Sequence, residues 1–377
     1  MTQTLTAPGS AGAPGPDSTP GPAGASGPLG SASPAFRAQL AAALTNQTLH
    51  LIVLPTEQCN FRCTYCYEDF TVGRMGEAVV GGIKRLIDRR AAGLRRLDVS
   101  WFGGEPLLAR PVVEELAGHM ADLAAERPGL HYRADMTTNG YLLDAGTAGR
   151  LAALGVDRYQ ISLDGPAEAH DTTRLRADGR GSFDRIWRNL LAIRDSGLPV
   201  GVLLRVHLTP ANLPLMPGFL ARLRDTFLRD ERFSLHLKPV ERMGGPNDQA
   251  MEILERDVRA QVLDELTAVA YEGLPAAPDP AELPVCYAAR PNSLVIRADG
   301  TVAKCTVALT DPANAIGRLL PDGTLRVDNE LLAPWVRGWA AGDEKAVHCP
   351  YVGMERRRAP ALLQIGTRPA PAAEPVL

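Results

Sequence analysis

The sequence predicts an α/β fold built from parallel βα units, and two observations carry that reading. Short apolar runs rich in Val, Ile and Leu alternate with longer stretches at helical spacing from Leu51 to Tyr271, the pattern of strands joined by crossover helices. Glycine-bearing and polar segments follow those runs one after another, and barrels of βα units carry their chemistry at the C-terminal ends of the strands.

Taken in order, the first strand is Leu51-Ile52-Val53-Leu54, and a cysteine-rich loop follows it directly. A helix from about Met75 to Ala92 precedes a second strand at Leu97–Trp101. The next helix sets Val113, Leu116, Met120 and Leu123 on one face, which is the spacing of a core-facing stripe. The third strand is Tyr132 to Thr137, and Asp144 is placed as N-cap of the helix carrying Leu151 and Leu154, since its carboxylate can accept from a first-turn N–H. The fourth strand is Arg158 to Leu163; Phe183, Ile186, Trp187, Leu190 and Leu191 then form a stripe read as core. A fifth strand (Val200 to Leu208), a helix (about Leu213 to Leu228), a sixth strand (Phe233 to Val240) and a last helix (about Met251 to Tyr271) complete the series.

Residues 1–34 and 360–377 are dominated by small residues and proline. Such segments bury too little apolar surface to offset their ordering entropy and are expected to be disordered tails. The remaining chain, at 45% hydrophobic over all 377 residues, can bury one large or two modest domains. A net charge of -3 supplies no basic excess for phosphate backbones, which argues against a nucleic-acid partner. No basic N-terminal segment leads into an apolar run and no stretch is of membrane-spanning length, so a cytoplasmic location without membrane association is expected. The six cysteines, three of them clustered, suit reduced metal-binding thiols better than a disulfide framework.

Those three stand in Cys59-Asn60-Phe61-Arg62-Cys63-Thr64-Tyr65-Cys66. The C-x3-C-x2-C spacing lets three thiolates converge on one iron–sulfur cluster, and because a cubane takes four ligands, one iron is left open. A zinc loop is the alternative, but such sites pair C-x2-C with a second Cys or His pair, and none follows closely. The motif, with Tyr65 just before its last cysteine, resembles the cluster loop of the radical S-adenosylmethionine (SAM) superfamily. The resemblance implies a 4Fe-4S cluster held by Cys59, Cys63 and Cys66, with SAM on the open iron. It also implies reductive cleavage to a 5′-deoxyadenosyl radical that abstracts a substrate hydrogen, a reductant such as flavodoxin or ferredoxin, and a partial (βα)6 barrel over residues 35–275.

Further residues join this resemblance. Gly103-Gly104-Glu105-Pro106, after the second strand, is similar to the motif that meets the SAM amino group: glycines permit close backbone approach and a carboxylate can pair with an ammonium. Ser162, Asp164 and Arg174 resemble the segment by which peptide-modifying relatives hold the SAM ribose and carboxylate. His170 and Asp171 are read as ordering that loop. Arg205 and His207, then Ser234, His236 and Lys238, fall on one face of the fifth and sixth strands. Of these, Arg205, His207, His236 and Lys238 are the candidates for substrate contact or catalysis, with Leu204, Val206, Leu235 and Leu237 packing behind them.

Residues 276–359 are read as a small hairpin-and-helix domain. Cys286, thirteen residues, Gly300, four residues and Cys305 resemble the opening of the SPASM/twitch auxiliary-cluster domain, with Asp299-Gly300 as a hairpin turn presenting Cys305 on its second strand. The rest departs from that pattern. Aligning Cys349 to the second cysteine of the expected run puts Ala346, Glu355 and Ala359 at thiolate positions. Two auxiliary clusters are excluded by count; either Cys286, Cys305 and Cys349 hold one cluster, or the domain keeps its fold without metal, the reading the missing thiols favour.

The resemblance implies an enzyme similar to maturases of ribosomally made peptides, cross-linking, epimerising or oxidising a precursor peptide. Some fifteen residues with ordering potential precede the first strand, so leader recognition is expected from the barrel, the C-terminal region or a separate leader-binding protein. A small-molecule dehydrogenase or mutase, a sulfatase-maturing type of enzyme and a non-catalytic metal-binding scaffold are the alternatives.

Overall fold

The computed structural model describes residues 34–275 and 285–354. Of the tails expected at residues 1–34 and 360–377, all but Pro34 lies outside the described residues, as do Glu355 and Ala359. Helix α1 (Pro34–Leu44) opens the described chain, and its Phe36 and Ala43 pack with Ala289, Trp339 and Val347.

The predicted alternation is borne out. Strands β1 (Thr48–Val53), β2 (Arg96–Trp101), β3 (His131–Thr138), β4 (Val156–Leu163), β5 (Gly201–Leu208) and β6 (Phe233–Pro239) pair in sequence order, all parallel. Between them run α2 (Glu77–Ala91), α3 (Arg110–Glu126), α4 (Ala145–Ala153), α5 (Ala167–Thr173) with α6 (Phe183–Asp195), and α7 (Met216–Leu223); α8 (Arg256–Ala270) follows β6. Asp144 caps α4 as read, accepting from the Thr147 N–H at 2.7 Å.

Three boundaries differ from the reading. The polar segment after β4 contains the short helix α5, which its mixed composition concealed. The helix expected from Leu213 to Leu228 is a 3-10 turn, α7 and a wider π-type turn in succession, because Pro214 and Pro217 lack the N–H donors of a continuous helix. The last helix starts at Arg256, five residues beyond Met251.

The C-terminal strands join the same sheet. Strand β7 (Ser293–Ile296) runs parallel to β1, and β8 (Thr301–Ala303), β9 (Ala315–Leu319) and β10 (Leu325–Val327) continue antiparallel. The order is β10-β9-β8-β7-β1-β2-β3-β4-β5-β6. The hairpin turn falls at Asp299-Gly300 as predicted, with Gly300 at φ 86°, a conformation that suits glycine. Cys305 lies two residues past β8 rather than on it. Helices α9 (Asn329–Ala341) and α10 (Glu344–His348) close the described chain.

Burial explains how the sheet aims its polar side chains. Along β5, Val202, Leu204, Val206 and Leu208 are buried while the alternate residues are half-buried, so the apolar set packs under helices and Arg205 and His207 face the lumen. Among the described residues no helix is long and apolar enough to cross a membrane.

Candidate active site

The cysteine loop leaves β1 at the C-terminal edge of the sheet and is pinned on several sides. The N–H groups of Arg62 and Thr64 donate to the Leu175 and Thr173 carbonyls at 2.8 and 2.9 Å, beside α5. From the segment after β6, the Asn247 side chain donates to the Thr64 carbonyl at 2.9 Å. Gly245 lies so close that a Cβ there would stand 2.5 Å from the Cys66 carbonyl oxygen. The three thiols, all half-buried, line one cavity of about 580 Å³. Burial pushes Cys59 up to about 12 and Cys66 up to about 11, and raises Cys63 as well; metal binding at these sulfurs therefore displaces protons. Among the described residues no three His, Cys, Asp or Glu side chains crowd a single ion's position. Sulfurs that each hold a different iron of a cubane need no such crowding.

The loop after β2 docks against Thr56 to Gln58, just before the first cysteine. Gly103 has φ 114°, and a Cβ on Gly104 would stand 2.5 Å from the Gln58 carbonyl oxygen, so both positions require glycine for this approach. Both glycines border the cavity. The Glu105 carboxylate corrects the reading of it as an ammonium partner. It is 0% exposed and accepts from the Leu107 N–H (3.0 Å), the Asn139 N–H (2.8 Å) and the Thr138 hydroxyl (2.8 Å). Its oxygens are satisfied inside the protein, where they tie the β2 and β3 loops together.

Tyr65, Asp164, Arg174 and His207 meet in one hydrogen-bonded group. The Tyr65 hydroxyl donates to Asp164 Oδ1 (3.0 Å) and accepts from Arg174 Nη1 (2.7 Å); His207 Nδ1 lies 3.1 Å from the hydroxyl and 3.2 Å from Asp164 Oδ1. Thr173 donates to Asp164 Oδ2 at 2.6 Å. Burial alone would raise the Asp164 carboxyl, but His207 and Arg174 hold it well below the usual carboxylate range. Burial lowers His207 and keeps the Tyr65 phenol protonated. Ser162, Tyr65, Arg174 and His207 line the cavity, with Asp164 behind them. Among the described residues Arg174 Nε is buried without an acceptor. An unpaired guanidinium N–H at the cavity wall, three thiols and a glycine edge form a donor set that fits an iron–sulfur cluster with an anionic ligand beside it.

His170 and Asp171 order the loop, as read. Asp171 accepts from the Ser182 and Phe183 N–H groups at the start of α6, and His170, wholly buried, accepts from the Asp164 N–H and meets the Ser182 hydroxyl at 3.0 Å. Burial lowers His170 to about 4, and does the same to His50, which is held between the Ser293 and Ser100 hydroxyls. Since the unfolded chain takes up these protons near pH 6.5 and the folded one near pH 4, stability is lost as pH falls through that window. Each histidine contributes up to about 3 kcal/mol of that loss. His170→Gln and His50→Gln are each expected to flatten the dependence of urea midpoints between pH 6.5 and 4.

The substrate candidates do not all reach the cavity. Arg205, His207 and Lys238 line it, whereas His236 is exposed and outside the lining, because β6 is an edge strand with no neighbour to enclose that position. Lys238 donates to Glu241, which also accepts from Arg259 at 2.9 Å. The cavity contains residues the sequence did not single out: Glu68, Asp135, Asn139 and Gln160, with Tyr287, Thr306 and Val307 from the C-terminal region. The signal for Asn139 was its place in Thr138-Asn139-Gly140 after β3; Glu68 had only its nearness to Cys66. Burial pushes Glu68 up to about 8, and its Oε2 has no partner among the described residues.

Cys286, Cys305 and Cys349 lie within electrostatic reach of one another, and burial raises Cys286 and Cys305. Tyr67 lies within electrostatic reach of both Cys66 and Cys305.

Comparison with known proteins agrees with this geometry. Residues 53–220 match the family model of the radical SAM superfamily. A GTP 3′,8-cyclase of Mycobacterium sp. (strain KMS) is 35% identical over 153 residues, 39% of this chain and 40% of that protein. One of Stenotrophomonas maltophilia (strain R551-3) is 31% identical over 228 residues, 59% of this chain and 64% of that protein. The chain thus spans less than two thirds of these relatives. In fold, anSMEcpe with bound AdoMet and Cp18Cys peptide superposes with a TM-score of 0.60 at 18% identity, covering 77% of this chain and 83% of that one. Streptococcus suis SuiB bound to precursor peptide SuiA gives 0.55 at 14%, covering 82% and 69%. The cysteine loop, the strand-end glycines and strands β2 to β5 thus fall within residues 53–220, the stretch that is similar to the radical SAM superfamily, whose members use a 4Fe-4S cluster and S-adenosylmethionine.

Proposed function

We infer that this protein is a radical SAM enzyme whose substrate is a peptide, modified by hydrogen abstraction from an unactivated carbon. The observation that carries the enzymatic reading is the convergence of three thiols, an unpaired Arg174 N–H and the Tyr65 network on one cavity. Cys59, Cys63 and Cys66 would hold the cluster; Gly103, Gly104, Ser162 and Arg174 would border SAM. Bound together, the cluster and SAM supply one-electron cleavage of a sulfonium and the hydrogen-abstracting power that follows.

This chain's residues do the positioning. Arg174 offers a charge-assisted donor to a carboxylate, and the Asp164 and Tyr65 network fixes that guanidinium through the phenol oxygen. The C-terminal residues Tyr287, Thr306 and Val307 complete the cavity wall. The peptide reading is supported by the extent of likeness: the two peptide-bound neighbours align over 77% and 82% of the chain. A second reading, a small nucleotide substrate, draws on the GTP 3′,8-cyclase relatives, whose matches reach 59% at most of those described above.

Anaerobic co-expression with small open reading frames beside the gene, followed by peptide mass analysis, tests the proposal. Loss of two hydrogens or uptake of solvent deuterium supports it; 5′-deoxyadenosine formation with GTP and with no peptide would overturn the peptide class. Cys305→Ala is expected to leave both SAM cleavage and iron content unchanged. An iron assay showing about half the metal lost would instead place a second cluster on Cys286, Cys305 and Cys349.

A further inference from the structure

Arg205 stands out among the cationic groups of the cavity. Lys238 is matched by Glu241, Asp164 is satisfied by Tyr65, Thr173 and His207, and Asp135 accepts from Ser100 at 2.9 Å. Arg205 lines the same cavity, and among the described residues its side chain makes neither an ion pair nor a hydrogen bond; its Nε is buried without an acceptor. The carboxylate that acts electrostatically on it, Glu241, already serves Lys238 and Arg259. Arg174 repels Arg205, and burial disfavours its charge. Holding a guanidinium in this position costs free energy until an anion arrives.

We propose that Arg205 is the subsite for an anionic group of the substrate, a carboxylate side chain on the peptide, seated on the β5 wall beside Tyr65 and Tyr67. The assignment rests on the peptide reading above and adds a specificity to it. A planar guanidinium with a free Nε can bind a carboxylate by two parallel hydrogen bonds. Arg174, tethered to Tyr65, remains for the carboxylate of SAM. The separation explains why the cavity holds two guanidiniums with buried unpaired Nε atoms.

The test is calorimetric titration of the reconstituted, SAM-loaded protein with acetyl-Ala-Glu-Ala-amide and with its glutamine counterpart. The glutamate peptide is expected to bind about tenfold or more tightly than the glutamine peptide, and Arg205→Gln to erase that difference. SAM affinity should be unchanged in Arg205→Gln, and its melting temperature should be no lower than wild type, since an unpaired charge has been removed. Equal affinity for both peptides in wild type, a preference that survives Arg205→Gln, a fall in SAM affinity or a drop in melting temperature would each overturn the assignment while leaving the peptide reading in place. Arg205-dependent binding of GTP, with neither peptide bound, would overturn the peptide reading and with it the carboxylate assignment.

Discussion

Cys63→Ala is expected to abolish cluster assembly and all SAM cleavage while leaving the fold intact. The first half follows from ligand count: with one of three thiolates removed, two sulfurs cannot retain a cubane that also needs an open iron. The second follows from the environment of the residue. Cys63 is half-buried, and its hydrogen bond within the loop runs through its backbone carbonyl, which accepts from the Cys66 N–H at 3.1 Å and survives the substitution. Loss of the sulfur should cost about 1 kcal/mol or less of stability. Cys59 offers a useful contrast, since its Sγ accepts from the Phe61 N–H at 3.3 Å; Cys59→Ala should lose iron and also loosen the loop. Iron analysis, electron paramagnetic resonance of the reduced protein with and without SAM, and a thermal melt check these statements. Full activity in Cys63→Ala, or zinc instead of iron in the anaerobically purified wild type, would refute the cluster assignment.

Arg297→Ala should be the most damaging single change to stability, by about 3–5 kcal/mol. Arg297, at the end of β7, donates from Nε to Glu57 Oε1 at 3.0 Å, from Nη2 to Glu57 Oε2, and from Nη1 to the Leu309 carbonyl at 2.9 Å. Glu57 is 2% exposed, so removing the arginine leaves a buried carboxylate uncompensated. It would also face Glu68, whose own carboxyl is already raised by burial and by Glu57. The pair bridges the C-terminal hairpin to the segment two residues before Cys59, so the loop should lose iron faster on dilution as well. Urea unfolding of Arg297→Ala, Glu57→Gln and the double variant forms a cycle in which the double variant recovers part of the loss. Arg297→Lys should not restore full stability, because an ammonium cannot reproduce the three-point geometry. A cost below about 1 kcal/mol, the level of an exposed pair, would show that the bridge is not buried in solution.

The legible part of this protein was periodic or local. Alternating strands and helices, the Asp144 cap and the Asp299-Gly300 turn could be read because each depends on a handful of neighbouring residues and on the side-chain spacing of strand or helix. The same holds for the cysteine motif, in which the ligands share one loop. The illegible part depended on contacts between distant segments. Glu105 looked like a ligand for an ammonium, yet in the fold the β3 loop supplies two of its three donors. His236 shares a face with Lys238 by strand periodicity, but an edge position leaves it exposed. Helix α5 and the broken helix around α7 escaped notice because polar composition and two prolines obscure a short amphipathic pattern.

From the chain alone come the α/β class, the parallel order of its units and the three-thiol loop, since spacing along a backbone suffices to set them. Which charges are neutralised was decided only in three dimensions: Glu57 finds Arg297 across 240 positions of sequence, Asp164 finds Tyr65 across 99, and Arg205 finds no partner among the described residues. Pairing of buried charges is a property of surroundings that the fold brings together, and no local pattern encodes it.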